Sequence, residues 1–418
     1  MECLEGKSEP AGTAICDGVI ELTNKRVVLA YSGGLDTSVA VKWLSVELGY
    51  EVVALSVDVG QGGDFDELKK RAMDAGAYAV EVVDAKDEFA ENFVQDAIIA
   101  NALYEGKYPL VSSLSRPVIA RHLVDAATRY EATAVAHGCT GKGNDQVRFE
   151  VSIRALNPTL EIVAPVRTWG FSREDSIDYA EKHDVKINAT KEKLYSIDQN
   201  LWGRAIECGE MEDPWASPPV GVYEMTIPTR TDRTEVIVSF EAGKPVSVDG
   251  NRMSLAEIIG HLNLLVGSYG VGRIDMVENR RVGIKSREVY EAPAAIALIA
   301  AHSDLEDICL ERELAHEKRR IQNEWARLVY DGMWFSPLKQ SYDAFLKHSQ
   351  KFVTGDVRLI LEGNSLHVEG RRSPNSLYDY SLATYDSADL FRHADAEGFV
   401  RIFGLGVQTW AAKQGTSS

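Results

Sequence analysis

The chain has 418 residues, of which 45% are hydrophobic and 26% charged, so intrinsic disorder and collagen-like repeats are excluded. At roughly 100–200 residues per domain, this length predicts two to three domains. The 63 acidic and 45 basic side chains give a net charge of −18, which argues against a nucleic-acid partner because such partners normally need a basic surface.

Residues 1–24 lack sustained hydrophobic periodicity and predict a poorly ordered extension. They also lack the charged-then-apolar pattern of a signal peptide. The longest apolar stretch, at residues 294–301, is far shorter than the roughly 20 residues of a membrane-spanning helix. The five cysteines are scattered and form no C-x-x-C pair, which disfavours a disulfide framework and a zinc site. We therefore expect a cytoplasmic protein without a membrane partner.

From Lys25 onward, apolar runs rich in β-branched residues alternate with helix-like segments. Helices are predicted over residues 37–48 and 66–75, and Pro117 is expected in the first turn of a helix that runs to about Tyr130. The alternation predicts an α/β fold in which a parallel sheet is joined by crossover helices. The predicted strands are residues 27–31, 52–59, 79–83, 132–136 and 161–164.

After about Thr190 the pattern changes, and three prolines between residues 214 and 219 mark an irregular stretch. Residues 234–241 predict a strand, and Ser254 with Glu257 forms a capping-box signature before an apolar helix. Residues 357–361 and 365–368 flank Glu362-Gly363-Asn364 and predict a hairpin. A separate domain of mixed α+β type is therefore expected.

The sharpest local signal is AYSGGLDTS at residues 30–38, which joins an apolar strand to a helix through two glycines. Glycines let backbone N–H groups approach an anion, the helix N-terminus adds partial positive charge, and Ser32, Thr37 and Ser38 can donate hydrogen bonds. A plainer interpretation is a tight turn with Asp36 or Thr37 as N-cap. The pattern S-G-G-x-D-S/T after a strand is narrower than such a turn and predicts a phosphate-binding loop.

This loop is not a Walker A motif, and the chain also lacks the dinucleotide fingerprint G-x-G-x-x-G. It resembles instead the pyrophosphate loop of the N-type ATP pyrophosphatases. Those enzymes cleave ATP between its α- and β-phosphates, so the resemblance implies AMP as a product and not ADP.

A second loop, HGCTGKGNDQVR at residues 137–148, follows the strand predicted at 132–136. Ligands of open α/β sheets bind at the carboxyl ends of the strands, so the two loops are expected to converge. Lys142 offers a point charge, Arg148 a bidentate fork, and Asn144 with Asp145 an amide beside a carboxylate. The plainer interpretation is a polar surface loop with Lys142 in solvent.

Four motifs in chain order carry a closer resemblance, and the likeness extends from about residue 26 to about residue 399. They are AYSGGLDTS, ALYEGKYPLVSSLSRP, HGCTGKGNDQVRFE and GVGRIDMVENRRVGIKSREVYEAP. With them the chain resembles the argininosuccinate synthase family. The resemblance implies ATP-driven condensation of citrulline with aspartate to argininosuccinate, AMP and pyrophosphate by a homotetramer of arginine biosynthesis. It also implies an ATP-binding α/β domain of the N-type ATP pyrophosphatase kind at 25–190, a mixed α+β synthetase and multimerisation domain at 191–385, and a C-terminal segment at 386–418.

The resemblance also assigns ligands to matching positions of this sequence. The implied ATP site comprises Ala30, Tyr31, Ser32, Gly33, Gly34, Leu35, Asp36, Thr37, Ser38, Val57 and Gly138. The implied aspartate ligands are Thr140, Asn144 and Asp145. The implied citrulline ligands are Tyr108, Ser113, Asn144, Arg148, Ser196, Glu278 and Tyr290. Arg148 can neutralise a substrate carboxylate, and Glu278 can accept hydrogen bonds from an α-ammonium group.

Taken singly, several of these residues have plainer interpretations. Tyr108 and Tyr290 are also expected as core rings with satisfied hydroxyls, and Glu278 as a partner of Arg280 or Arg281. Only their joint occurrence favours the binding roles.

The chain departs from the family pattern in its central and C-terminal parts. Ala205 stands where relatives carry a serine, so one citrulline contact is expected to be missing or supplied by water. Gly404, Gly406 and Gly415 predict a poor helix where relatives have a C-terminal helical arm used in tetramer contacts.

A ureido oxygen is a weak nucleophile and a poor leaving group, so we expect it to be activated by adenylation. The citrulline ureido oxygen attacks the α-phosphate, pyrophosphate is released into the loop at residues 32–38, and the aspartate amine then displaces AMP. Mg²⁺ is expected to bridge phosphate oxygens, supplemented by Lys142. The expected catalytic residues are Asp36 beside the phosphates, Arg148, and Asp145, which either orients the aspartate amine or accepts its proton.

Three rival functions use related loops. A tRNA-modifying ATP pyrophosphatase predicts a basic surface and catalytic cysteines, which the sequence lacks. A nucleotide sensor with decayed chemistry is disfavoured because every polar position of both loops is intact. A glutamine-dependent synthetase is disfavoured because no amidotransferase region is recognisable.

Overall fold

The computed structural model describes residues 25–186, 195–385 and 390–415. The predicted extension at residues 1–24 and the predicted domain boundary near Thr190 lie outside these ranges. No helix in the described ranges is long and apolar enough to cross a membrane.

Five strands form the predicted parallel sheet, with strand order β3-β2-β1-β4-β5 and parallel pairing throughout. The central strand β1 pairs Val27 with Val52 on one side and with Ala134 on the other. Runs such as VVL of β1 are buried, as expected of strands covered on both faces. All five predicted strands are confirmed, as β1 (Arg26–Ala30), β2 (Glu51–Asp58), β3 (Ala79–Asp84), β4 (Ala134–Ala136) and β5 (Glu161–Val163).

Helices cover this sheet and connect its strands. They are α1 (Leu35–Val46), α2 (Phe65–Asp74), α3 (Lys86–Phe89), α4 (Gln95–Ile99), α5 (Val111–Arg129), α6 (Asp145–Leu156), α7 (Pro165–Trp169) and α8 (Arg173–Lys182), with a π-helical turn at Ala90–Val94 between α3 and α4. The helices predicted over residues 37–48 and 66–75 are confirmed as α1 and α2 within two residues at each end.

The prediction that Pro117 lies in the first turn of a helix is wrong. Helix α5 begins six residues earlier, at Val111, and Pro117 lies inside it. An internal proline removes one backbone hydrogen bond and costs about 3 kcal/mol. The long buried face of α5, which includes Leu114, Val118 and Leu123, packs into the core and outweighs that cost.

The second half contains two antiparallel sheets and confirms the mixed α+β prediction. One sheet has the order β10-β9-β8-β13-β14 and the other β11-β12-β7-β6. The predicted strand at 234–241 and the predicted hairpin, which turns at Gly363-Asn364, are both present. The strands are β6 (Ser196–Asn200), β7 (Gly203–Glu207), β8 (Thr234–Glu241), β9 (Lys244–Val248), β10 (Asn251–Arg252), β11 (Arg273–Asn279), β12 (Lys285–Glu291), β13 (Gly355–Glu362) and β14 (Ser365–Arg372).

The first four helices of the second half contact elements of the first half. The capping box is formed, because Ser254 Oγ accepts from the Glu257 N–H and the Glu257 carboxylate accepts from the Ser254 N–H. Buried residues of α5 and of α10 belong to one hydrophobic cluster, so the two halves share a core. The helices are α9 (Leu255–Gly267), α10 (Pro293–Cys309), α11 (Arg312–Tyr330), α12 (Pro337–Ser349), α13 (Tyr380–Ala383), α14 (His393–Phe403) and α15 (Leu405–Gln414).

The expectation of a poorly helical C-terminus is also wrong, because α14 and α15 are both formed. Gly404 lies at the junction between the two helices, where it interrupts neither, and Gly415 follows the end of α15. Gly406 lies inside α15, where a glycine costs about 1 kcal/mol relative to alanine. The surrounding leucine, alanine and glutamine residues, which favour helix, offset that cost.

Candidate active site

A cavity of about 790 Å³ lies between the carboxyl edge of the parallel sheet and the four-stranded sheet β11-β12-β7-β6. After β1 the chain continues to β2 on one side of the sheet, whereas β4 lies on the other side of β1. The connections after β1 and β4 therefore run in opposite directions, which creates a topological switch point at the edge between these two strands. The two loops identified in the sequence begin side by side at this edge. The predicted site residues on the cavity wall are Ala30, Tyr31, Ser32, Asp36, Thr37, Val57, Tyr108, Gly138, Thr140, Asn144, Asp145, Arg148, Ser196, Glu278 and Tyr290.

Other predicted residues lie off the wall, and their roles stay predictions. Ser38 Oγ is 3.1 Å from the Tyr31 hydroxyl. Ser113 is buried, and its Oγ has no hydrogen-bond partner among the described residues. Lys142 is exposed and does not line the cavity. The site residues off the wall are Gly33, Gly34, Leu35, Ser38 and Ser113.

The loop at residues 30–38, called the phosphate-type loop below, is stabilised by contacts between its own hydroxyl groups and by a glycine with left-handed backbone angles. Ser32 Oγ and Thr37 Oγ1 are 3.1 Å apart, and Gly33 has φ = 73°. A Cβ on Gly138, in the second loop, would lie 3.0 Å from Thr37 Cγ2, so the two loops touch at this point. The result is a glycine-rich turn at the N-terminus of α1 with hydroxyls on the cavity wall, an arrangement that suits an anion.

The carboxylate of Asp145, at the start of α6, lies between two guanidinium groups. Its Oδ2 is 2.7 Å from Arg116 Nη2, and its Oδ1 is 2.8 Å from Arg148 Nη1. Burial acts to raise the pKa of Asp145, but the charges of the two arginines outweigh it and lower the pKa to about 2. Asp145 is therefore a weak base at neutral pH, and its geometry suits orienting an amine better than accepting its proton.

Glu278 is a buried carboxylate that accepts hydrogen bonds from two tyrosines. The Tyr290 hydroxyl donates to its Oε2 at 3.0 Å and the Tyr330 hydroxyl to its Oε1 at 2.9 Å. Burial raises the pKa of Glu278, although the Tyr330 hydrogen bond and the Arg148 charge act in the opposite direction. Arg280 and Arg281 do not pair with Glu278.

Instead, Arg280 binds Glu207 and Glu288, and Arg281 lies near Asp331. Among the described residues, Glu278 therefore has no basic side chain within ion-pair distance. A buried carboxylate without a counter-ion favours a cationic ligand.

The rings of Tyr108 and Tyr290 pack in the core and also line the cavity. Their rings stack with centroids 4.2 Å apart, and the Tyr108 hydroxyl accepts from the Ser112 N–H at 2.9 Å. Both rings are buried, as the plainer interpretation expects, yet both line the cavity. Ala205 also lines it, opposite Asp198 in the pairing of β7 with β6.

Sequence reasoning missed Tyr330, the last residue of α11. Its hydroxyl accepts from Asn144 Nδ2 at 2.8 Å, and its carbonyl accepts from Arg148 Nε at 3.0 Å. The Arg148 guanidinium also lies 4.9 Å from the centroid of the Tyr330 ring. No sequence motif marks this position, because Tyr330 belongs to an amphipathic helix of the second half.

Arg116 was also missed, although it lies inside one of the quoted motifs. Its Nη2 is 2.7 Å from both Asp145 and Asp198, which ties α5 to α6 and β6. The usable signal was an arginine that is the only charged residue among the otherwise apolar and hydroxyl-rich residues 111–120, since such a cation needs acidic partners when it is buried.

The described residues contain no group of three or more His, Cys, Asp or Glu side chains that could hold a metal ion. Mg²⁺ that accompanies ATP is commonly held by phosphate oxygens and one or two carboxylates. The exposed carboxylate of Asp36 lies on the cavity wall beside Ser32 and Thr37 and fits that role.

Comparison with family models gives two matches that together span most of the chain. The model described as the arginosuccinate synthase N-terminal HUP domain matches residues 26–186, and the one described as the arginosuccinate synthase C-terminal domain matches residues 195–410.

Comparison with curated proteins gives relatives of nearly full length. The chain is 58% identical over 385 residues to the argininosuccinate synthase of Bacillus pumilus, covering 91% of this chain and 95% of the relative. It is 57% identical over 387 residues to that of Geobacillus kaustophilus, covering 92% and 95%. It is 54% identical over 387 residues to that of Listeria innocua, covering 92% and 96%.

Among solved structures, the chain is similar to two proteins over part of its length. A predicted subunit of tRNA methyltransferase from Methanocaldococcus jannaschii matches with a TM-score of 0.27 and 14% identity, covering 41% of this chain and 78% of that protein. The U34-tRNA thiolase NcsA from Methanococcus maripaludis matches with a TM-score of 0.26 and 17% identity, covering 40% and 59%.

Proposed function

This chain belongs to the argininosuccinate synthase family, and from that premise we propose how its cavity carries out the reaction. The protein is a ligase that condenses citrulline with aspartate to argininosuccinate in arginine biosynthesis. ATP drives the ligation and is cleaved to AMP and pyrophosphate through a citrullyl-adenylate.

The adenylate divides one difficult displacement into two easier ones. The ureido oxygen of citrulline attacks the α-phosphorus of ATP, and the bond to the β-phosphate oxygen breaks, so pyrophosphate leaves. The aspartate amine then attacks the activated ureido carbon and loses a proton, and the carbon–oxygen bond breaks to release AMP. The ureido oxygen leaves bonded to phosphorus, which makes AMP the second leaving group.

The ATP end of the cavity is the loop after β1. Ser32 and Thr37 donate to phosphate oxygens together with backbone N–H groups of the turn, and Val57 and Gly138 line the space for the nucleoside. Asp36 would hold the Mg²⁺ that accompanies ATP, and the ion would supply neutralisation of phosphate charge.

The citrulline end is the wall built by β11, β12 and α6. Glu278 accepts from the α-ammonium group, Arg148 faces the α-carboxylate, and Tyr108 and Tyr290 orient the chain. The uncompensated charge of Glu278 supports this assignment, since an ammonium group supplies the missing counter-ion. Ser113 and Ser196 complete the proposed ligand set.

The aspartate end is the loop after β4, where Thr140, Asn144 and Asp145 are the proposed ligands. The low pKa of Asp145 favours binding and orientation of the amine over proton transfer. Holding both amino acids against the α-phosphate makes each displacement effectively intramolecular, which is the main source of rate acceleration in this scheme.

The proposed assembly is a homotetramer in the cytoplasm. Apolar side chains of the arm formed by α14 and α15 are exposed in the single chain, among them Ile402 at 76% and Phe403 at 77%. Exposed apolar surface of this extent supports contact with other copies. Light scattering should give four times the chain mass of 46.1 kDa, and a variant with Ile402→Glu and Phe403→Glu should give a smaller assembly. An unchanged mass in the variant would contradict a role for the arm.

The observation that carries the proposed reaction is the convergence of the phosphate-type loop, Asp145 and Glu278 on one cavity. Product analysis with ATP, citrulline and aspartate, each omitted in turn, tests it. Argininosuccinate and AMP should form in equal amounts with all three present. Formation of ADP, or of argininosuccinate without aspartate, would contradict the proposal.

A further inference from the structure

Five arginines of the described residues line the cavity, and they differ in how their charge is compensated. Four of them have a carboxylate oxygen within 3.0 Å. The exception is Arg71, whose nearest carboxylate oxygen in the described ranges, Oε1 of the half-exposed Glu67, is 3.9 Å away. Arg71 is therefore the arginine of this cavity with spare charge. The other four and their closest partners are Arg116 with Asp145, Arg148 with Asp145, Arg204 with Glu224 and Arg280 with Glu207.

The guanidinium of Arg71 lies against the phosphate-type loop. Arg71 projects from α2, and its Nη1 donates to the Gly33 carbonyl at 3.0 Å. A Cβ built on Gly33 would lie 3.2 Å from Arg71 Nη2, so the cation touches the left-handed glycine of the turn. The Arg71 Nε is buried and has no hydrogen-bond partner among the described residues. One donor thus holds the loop, and the charge and further donors remain available.

We propose that Arg71 binds the β- and γ-phosphates of ATP and stabilises pyrophosphate as it leaves. This inference rests on the proposed function, in which the loop after β1 holds the polyphosphate. When the bond between the α-phosphorus and the bridging oxygen breaks, the electron pair goes to the pyrophosphate oxygen. A planar guanidinium can donate two parallel hydrogen bonds to two oxygens of the leaving pyrophosphate, and the net charge of −18 makes a local cation necessary for a highly anionic ligand.

A purely structural role makes a different prediction. If Arg71 only braced Gly33, a neutral side chain that still donates to the Gly33 carbonyl would suffice. Arg71→Gln keeps an amide donor and removes the charge, whereas Arg71→Lys keeps the charge and loses the fork. Lys70→Gln is the matched control, because it removes one positive charge from the neighbouring, exposed position of the same helix, off the cavity wall.

The test is calorimetric titration of the full chain with inorganic pyrophosphate in the presence of Mg²⁺, alongside the KM for ATP. Arg71→Gln should bind pyrophosphate about 10- to 100-fold more weakly, the range expected for loss of a charge-assisted contact. Arg71→Lys should lie between Arg71→Gln and the unsubstituted chain, and Lys70→Gln should match the unsubstituted chain.

Two results would overturn the inference. One is pyrophosphate affinity in Arg71→Gln equal to that of Lys70→Gln. The other is an equal loss of pyrophosphate affinity in Arg71→Gln and Arg71→Lys together with a lowered melting temperature in both. That result would show that Arg71 has only a structural role. Failure of the proposed function is separately visible, since the unsubstituted chain would then make no pyrophosphate from ATP and citrulline.

Discussion

The hydroxyl of Tyr330 donates to Glu278 Oε1 at 2.9 Å, joining the end of α11 to the end of β11 inside the cavity wall. The same hydroxyl accepts from Asn144, and the Tyr330 carbonyl accepts from Arg148, so one residue of the second half fixes two residues of the loop and helix after β4. The citrulline end of the site is therefore built jointly by both halves of the chain. Its ligands are held before any substrate arrives.

Glu278→Gln is expected to weaken citrulline binding without loss of stability. The amide removes the negative charge that faces the α-ammonium group, so the KM for citrulline should rise about 10-fold or more while the KM for ATP stays the same. Because burial raises the pKa of Glu278, its charge is costly to the folded protein. The amide leaves one acceptor oxygen for the two tyrosine hydroxyls, which offsets this gain, so the melting temperature of the variant should stay close to that of the unsubstituted chain. Lower stability with an unchanged KM for citrulline would contradict the assignment.

Arg148→Lys is expected to impair citrulline binding selectively. Arg148 uses Nη1 for Asp145, Nε for the Tyr330 carbonyl and its plane for the Tyr330 ring, and an ammonium group cannot make all three contacts. The KM for citrulline should rise by about an order of magnitude, and that for ATP by much less. Steady-state kinetics with each substrate varied in turn would measure both, and equal increases would mark Arg148 as structural.

Gly33→Ala is expected to impair ATP binding, and Gly49→Ala provides its matched control. Both glycines are left-handed, with φ = 73° and 69°, so both substitutions strain the backbone by about 1–2 kcal/mol. Only at Gly33 would the new Cβ meet other groups, Arg71 and Leu68, whereas at Gly49 it meets nothing within 4 Å. The KM for ATP should rise about tenfold in Gly33→Ala, a difference of ~1.4 kcal/mol, and stay unchanged in Gly49→Ala. Similar ATP kinetics in the two variants would argue against the loop assignment.

Glu288→Gln is expected to change the pH dependence of stability. Burial and the nearby charge of Glu207 raise the pKa of Glu288 from 4.5 to about 8. Between these values the folded protein holds a proton that the unfolded chain releases, so this group lowers the free energy of unfolding as pH rises. The melting temperature of Glu288→Gln minus that of the unsubstituted chain should be a more positive difference at pH 8 than at pH 5.

Glu369→Gln is the control for that measurement, because Glu369 is half exposed in a surface pair with Arg233. Its melting temperature relative to the unsubstituted chain should be nearly the same at pH 5 and pH 8. If the melting-temperature difference between Glu288→Gln and the unsubstituted chain is also the same at pH 5 and pH 8, Glu288 is ionised in the folded protein and the prediction is wrong.

The parallel sheet and its loops were predictable because their signals are local. Buried strands give continuous apolar runs, and a glycine-rich turn between strand and helix marks the loop at residues 30–38. Pro117 and the C-terminal glycines misled the prediction for a shared reason. The helix propensity of a single residue contributes little compared with the rest of the helix. In α5 the burial of a long helix outweighs the cost of the internal proline, and in the arm the helix-favouring neighbours outweigh the cost of a single internal glycine.

The wall around the predicted ligands was not predictable in the same way. Tyr330 reaches Asn144 across 186 residues of sequence, and Arg71 reaches Gly33 across 38. No residue spacing in the sequence indicates either contact, because each depends on how separate helices, strands and loops pack in the fold. Sequence motifs identified many of the residues that face the cavity, whereas Arg71, Arg116 and Tyr330 emerged only from the fold.

The covalent intermediate is tested most directly by oxygen tracing. If the ureido oxygen attacks the α-phosphorus, that oxygen must leave bonded to phosphorus when the aspartate amine displaces AMP. Citrulline labelled with oxygen-18 in the ureido group should transfer one label per turnover to the AMP phosphate and none to pyrophosphate, as read by mass spectrometry of both products. Label in pyrophosphate, or unlabelled AMP while argininosuccinate accumulates, would contradict the citrullyl-adenylate.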